Sequence, residues 1–206
     1  MNAATVPGAL MVAMEPPASM EDEFNDWYDM EHFPQRRALP EFVGASRWVC
    51  VSGWPRWLAI YDLTSTAALQ TDAYRAVSGA NSTPWSRRVL PRTVGRMRVI
   101  GAALDPAQPV SQHEPLSTCR LLAMSVPLAE DHREAHSVAA DIREKLAKRA
   151  DLQQVRWFTE SDGTLWTLAA FDSAVSADAL ANLTGRPGGK GVASFNVYAP
   201  YRRSSY

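Results

Sequence analysis

The run NDWYDMEHFPQRRALPEF, residues 25–42, gathers a Trp, a Tyr, a His, two Arg and four carboxylates into eighteen positions. His32 is its leading candidate for chemistry, because imidazole gives and takes a proton most readily near neutrality. It follows Tyr28 by four residues and Phe24 by eight, which sets the three along one side of a helix. In the last turn before Pro34, the helix dipole favours the imidazolium form. Glu31 falls nearer the middle of the apolar face, where a carboxylate must be paired or carry a raised pKa. It is either a general base or the ion-pair partner of Arg36 or Arg47. Tyr28 can act as hydroxyl donor or acid, and Trp27 as core or pocket wall. Arg36 stands where a guanidinium fork can grip a substrate carboxylate. Arg37 reads as surface, and Glu21, Glu23, Asp26 and Asp29 as a solvated face.

The elements that must position these groups follow from periodicity. GALMVAME (8–15) is a short apolar run closed by Pro16-Pro17, as in a buried strand. Ser19 with Asp22 suggests a capped helix start. Met20, Phe24, Trp27, Tyr28 and Glu31 then mark one helix face, and Pro34 and Pro40 end it. Residues 43–53 and 56–64 form a hairpin, 65–74 a short helix, and 92–104 a half-exposed strand after a loop with Pro84 and Pro91. The Pro-rich segment 105–117 reads as a linker.

Beyond it the order repeats. CRLLAMSVP (119–127) answers LMVAMEPP, 128–150 is a second helix, and 154–173 answers 45–64. Residues 176–183 form a short helix and 192–201 a closing strand. Arg47-Trp48 aligns with Arg156-Trp157, and Asp62 with Asp172. Strand alternation then points either both Arg or both Trp inward. Inward Arg47 and Arg156 would converge on an anion, whereas an inward Trp48 would line an apolar cavity. The second helix lacks the Trp-Tyr and Glu-His-x-Pro features. His132 and His136 are four apart, but without further ligands they read as solvent-facing, so no metal is expected. RPGGKG (186–191) precedes a strand and reads as a loop beside the cavity mouth, not a phosphate cradle.

Formal net charge is −1 and the sequence pI is about 6.4, so neither nucleic acid nor anionic membrane is an expected partner. No apolar run reaches the roughly 20 residues that span a bilayer. Two cysteines, Cys50 and Cys119, suit a reducing cytoplasm.

The duplicated βαββαβ pattern resembles the dimeric α/β-barrel (ferredoxin-like) superfamily. F-x-x-W-Y-x-x-E-H-x-P-x-R followed by PEFVGASRW, spanning Phe24 to Trp48, resembles its EthD-like members. The expected fold is α+β, with two ferredoxin-like repeats, 1–104 and 118–206, packed sheet to sheet as a barrel around one small-molecule cavity, with room for a homodimer. The expected activity is cofactor-free acid/base catalysis, of lyase (decarboxylase) or isomerase type, on a small hydrophobic, aromatic carboxylate. His32 would shuttle the proton, helped by Tyr28 and Glu31; Arg36, Arg47, Trp27, Trp48 and Arg156 would bind substrate. A cofactor-free monooxygenase and a non-catalytic small-molecule carrier are the alternatives.

Overall fold

The computed structural model describes residues 6–107, 109–128, 132–185, 191–201 and 203. The chain runs β1 (Gly8–Glu15), α1 (Glu21–Trp27), a π-helical turn (Tyr28–His32), α2 (Phe33–Arg37), β2 (Phe42–Ser52) and β3 (Trp57–Leu63). After α3 (Asp72–Arg75) and α4 (Pro84–Val89), β4 (Val94–Ala103) completes the first half. The second half contains β5 (Arg120–Val126), α5 (His132–Leu146), β6 (Leu152–Thr159), β7 (Leu165–Phe171), α6 (Ala177–Thr184) and β8 (Ser194–Pro200).

Among the described residues, eight strands pair antiparallel and close into a barrel in the order β1-β3-β2-β8-β5-β7-β6-β4. The order within β1–β4 is matched by that within β5–β8. The halves meet edge to edge, along β2–β8 and along a short β4–β6 seam that pairs Ala102 with Thr159 and Ala103 with Phe158. The seam needs a glycine: a Cβ on Gly101 would stand 2.6 Å from Phe158 Cβ.

Three apolar layers follow from strand alternation. The barrel interior holds Met11, Trp48, Leu58, Ile60, Phe158, Trp166, Leu168 and Tyr198, from both halves. Outside, Phe24, Trp27, Tyr28, Trp57 and Tyr61 pack the first half's helices onto its sheet. Leu122, Ile142, Leu146, Trp157 and Phe171 do so in the second. Among the described residues the barrel interior is a packed core of large side chains.

Several local expectations are corrected. Ser19 caps nothing: it lies in a 3-10 turn, and the residue before α1 is Met20, whose side chain makes no capping bond. Pro34 does not end the helix, because the π turn precedes it and α2 continues to Arg37. The stretch read as loop contains α4, with Pro84 at its start and Thr83 Oγ1 accepting from Ser86 N–H. Residues 65–74 form a 3-10 turn (Thr66–Gln70) and α3. The segment between the halves is hydrogen-bonded to the barrel. Ser111 N donates to Asp62 Oδ2 (3.1 Å), and Gln112 N to Gln154 Oε1 (3.0 Å). Residues 186–190, most of RPGGKG, lie outside the described residues. Cys50 and Cys119 are free and half-buried. No helix among the described residues is long and apolar enough to cross a membrane.

Candidate functional site

The π turn determines what the first helix presents. Phe33 N–H bonds Tyr28 C=O, five residues back, in place of the usual four, so later residues lie about 100° out of α-helical phase. Residues five apart now stack: the Trp27 and His32 ring centroids are 4.5 Å apart, and Tyr28 meets His32 edge-on at 5.2 Å. Trp27, Tyr28 and His32 therefore form one aromatic cluster between the helix and the sheet.

His32 Nδ1 is buried and lacks a hydrogen-bond partner. Burial first, then the charges of Arg36 and Arg47, push its pKa down to about 3. The expectation from the helix dipole is reversed: at neutral pH the imidazole is neutral, because two guanidiniums and a dry setting outweigh one helix end. Burial also raises Tyr28, against the opposing influence of Arg47, Tyr61 and Arg36. Tyr61, on β3, is fully buried, and its Oη completes no hydrogen bond of ordinary geometry. Its pKa is well above the usual value, through burial and the adjacent Tyr28.

Arg47, on β2, points into this helix layer, and its guanidinium lies between the rings of Tyr28 (4.3 Å) and Tyr201 (4.1 Å). Nη1 donates to Asp29 and Nη2 to Asn25 Oδ1 (2.8 Å), while Tyr201 Oη donates to Asp29 Oδ2 (2.9 Å). Asp29 is thus no solvated bystander. Arg36, 6% exposed, donates to Val77 C=O (2.9 Å) and to Gln35 (3.1 Å). Burial lowers its pKa. Both guanidiniums have their terminal nitrogens engaged by protein groups, so they act on a ligand through their field rather than as an open fork.

Glu31 makes no ion pair with Arg36 or Arg47. Its carboxylate accepts from the hydroxyls of Thr83 and Ser86, and Trp27 Nε1 donates to Ser86 Oγ (3.1 Å). Glu31 and Trp27 thereby anchor the π turn to α4.

Trp48 and Arg156 lie elsewhere. Register pairs Arg47 with Ala59 and Trp48 with Leu58, but Arg156 with Leu168. Both strands bulge after their first residue, between Phe42 and Gly44 and between Leu152 and Gln154, so Ser46 is the structural counterpart of Arg156 and Trp157 that of Arg47, and the sequence alignment of the two Arg-Trp pairs is one residue out of step. A one-residue slip exchanges sheet faces. Trp48 faces the barrel interior, with Nε1 bonded to Ser46 Oγ (2.8 Å). Arg156 is also inward, in a buried pair with Asp62 at 2.6 Å. Trp157 faces outward, under the Arg143 guanidinium at 4.5 Å. Arg47 and Arg156 stand on opposite faces of the barrel wall and do not converge.

A cleft of about 1040 Å³ opens beside the cluster, between the first helix, β2 and the inter-half segment, lined by Asp29, Met30, Phe33, Arg37, Arg47, Glu114, Leu116 and Tyr201, among others. His32 is not in its wall, but Arg47 is. A second groove, of about 790 Å³, runs between α5 and residues 104–106, past His136, Arg143 and Trp157. No cluster of metal-ligating side chains occurs among the described residues. Residues that sequence reasoning missed are Asn25, Asp29, Tyr61, Thr83, Ser86 and Tyr201. Only Thr83 had a local signal, as a Thr-Pro helix start.

No known family matches this chain by sequence, and neither does any curated protein. Solved structures resemble it in fold. A candidate monooxygenase from Lactobacillus acidophilus is 9% identical with a TM-score of 0.59, over 95% of this chain and 93% of that one. An anthrone oxidase-like protein is 11% identical with a TM-score of 0.59, over 96% and 92%. A heme-binding protein from Thermus thermophilus is 10% identical with a TM-score of 0.58, over 96% and 92%. At such identities the likeness extends to the ferredoxin-like α+β architecture alone.

Proposed function

We propose that this chain is a cofactor-independent oxygenase of a small, electron-rich aromatic substrate bound in the Asp29–Arg47–Tyr201 cleft. One observation carries the reading: Arg47 is both a wall of the cleft and one of the two charges that hold His32 neutral. The cleft and the buried cluster are therefore one electrostatic unit, which disfavours a cation at His32 and favours an anion beside it. A lyase working through His32 needs an imidazole whose pKa lies near the working pH, and one held at about 3 is neither an effective acid nor an effective base there. Oxygenation of an acidic methylene needs only that its enolate be stabilised. The substrate loses a proton to solvent, and the enolate, held by the field of Arg36 and Arg47, supplies the electrons to molecular oxygen. A carbon–oxygen bond forms, and the resulting hydroperoxide eliminates water as its oxygen–oxygen bond breaks. One methylene and one dioxygen thus become one ketone carbonyl and one water, with no external reductant. Tyr28, kept protonated by burial, and neutral His32 lie behind Arg47, outside the cleft wall, and position its guanidinium rather than touching the substrate.

The fold likeness to a candidate monooxygenase and an anthrone oxidase-like protein supports this class of chemistry. Among the described residues, the groove around His136 does not suit haem. His136 is exposed, and its groove carries the Asp105 and Glu144 carboxylates that would repel propionates, with Trp157 and Arg143 filling the wall. The matched strand orders of the two halves support reading them as fused repeats of EthD-like type, with 1–104 bearing the site, 105–117 joining them and 118–206 as scaffold.

The test is oxygen uptake by metal-free protein with anthrone-type tricyclic ketones. The expectation is one dioxygen consumed per ketone formed, with a loss of about tenfold or more in kcat for Arg47→Met. Product formation under strict anaerobiosis contradicts the reading.

A further inference from the structure

The cleft contains three guanidiniums and three carboxylates, and most of them cancel. Arg47 is paired with Asp29, and Arg203 with Asp26 and, at 3.7 Å, with Asp29. What remains is Arg37, at the end of α2, and Glu114, on the inter-half segment. Both line the cleft. Neither has an ion-pair partner among the described residues, and they are not paired with each other. They stand on two different walls, one helical and one from the segment that joins the halves. Arg37 is exposed, with its guanidinium 5.9 Å from the Phe33 ring centroid. The surface around them is apolar: Met30 is 74% exposed and Leu116 51%. Exposed apolar side chains inside a concave site, flanked by uncommitted charges of opposite sign, are the lining a flat amphiphilic ligand covers.

We propose that the cleft selects an aromatic acid with a hydrogen-bond donor at its far end, the carboxylate on Arg37 and the donor on Glu114. This assignment rests on the cleft being the substrate site of the oxygenase described above. It replaces Arg36 and Arg47 as the anion grip, since their terminal nitrogens are already engaged, and makes Arg37 and Glu114 specificity residues. A planar guanidinium seated over an aromatic ring suits a carboxylate bidentately.

Calorimetric titration of the full chain with 4-hydroxybenzoate, 4-hydroxyphenylacetate and 4-hydroxycinnamate tests it, since the three differ in the distance from hydroxyl to carboxylate. At least one is expected to bind saturably, and its methyl ester about tenfold more weakly, the effect of one charge-assisted hydrogen bond. Arg37→Gln should weaken the acid about tenfold and leave the ester unchanged, with Arg37→Lys intermediate. Glu114→Gln should weaken the hydroxy acid but not the same acid without its hydroxyl. Both side chains are exposed, so the variants should keep the wild-type unfolding transition. No saturable binding of any of the three at millimolar concentration overturns the proposal, as does an unchanged acid-to-ester ratio in Arg37→Gln. Binding of these acids by a protein that takes up no oxygen with anthrone-type ketones counts against the oxygenase and leaves this assignment standing. Oxygen uptake with an unchanged ratio does the reverse.

Discussion

The two halves share a strand order but fill their helix layers in opposite ways. In the second half the layer is built on Leu122, Ile142, Leu146, Trp157 and Phe171, and its cation–π contacts use Arg143 and Arg149, whose side chains are 56% and 26% exposed. Among the described residues its unpartnered polar atom is the uncharged indole nitrogen of Trp157. In the first half the same layer buries Asn25, Tyr28, Arg36, Arg47 and Tyr61 beside His32, and leaves His32 Nδ1 and Tyr61 Oη without partners. A scaffold that can be sealed with leucine on one side has no stability reason to place guanidiniums and an orphaned imidazole on the other. Perturbed ionisable groups gathered in one layer mark function rather than packing.

The sharpest way to break the comparison is to remove its central cation. Arg47→Met strips partners from Asn25 and Asp29 and empties the slot between Tyr28 and Tyr201. We expect a loss of about 3 kcal/mol in urea unfolding, as for one member of a largely buried pair. A loss under about 1 kcal/mol would place the pair among ordinary surface bridges.

His32→Leu acts the other way. Replacing a neutral imidazole that has an unpartnered nitrogen should leave stability at pH 7 unchanged or raised by about 1 kcal/mol, while turnover falls. The pH dependence follows from the lowered pKa. The folded state binds less proton at His32 than the unfolded chain between its ordinary value near 6.5 and about 3. Wild type should therefore lose stability relative to His32→Leu as pH falls through that window, by up to about 1.4 kcal/mol per unit. Parallel stability–pH curves would contradict this.

Thr83→Ala removes both a helix cap and a hydroxyl on Glu31. Its expected cost is about 1 kcal/mol, with turnover lowered because the π turn loses its anchor. In the second half, Arg143→Ala should cost less than about 1 kcal/mol and leave turnover unchanged. Equal costs for Arg143→Ala and Arg47→Met would erase the distinction between the halves.

The strands and the duplicated order were legible because alternation and apolar runs are local signals. Trp27, Tyr28 and His32 were likewise placed on one helix. What was not legible depended on phase or distance. The π turn shifts the wheel after Tyr28, so Asp29 left the solvated face for Arg47, and Glu31 turned to the hydroxyls of α4. The Arg-Trp alignment was one residue out of step because register is set by the pairing across each hairpin, which composition does not reveal. Tyr201 and Tyr61 join the cluster from far along the chain, where no spacing rule reaches.

The central claim is that the first half holds a neutral imidazole in the field of two guanidiniums. The direct measurement is an NMR titration of the His32 ring nitrogens in the folded protein. With a pKa of about 3, His32 should take up no proton from pH 8 until the approach to that value. A His32 that titrates near its ordinary value of 6.5 or above would contradict it.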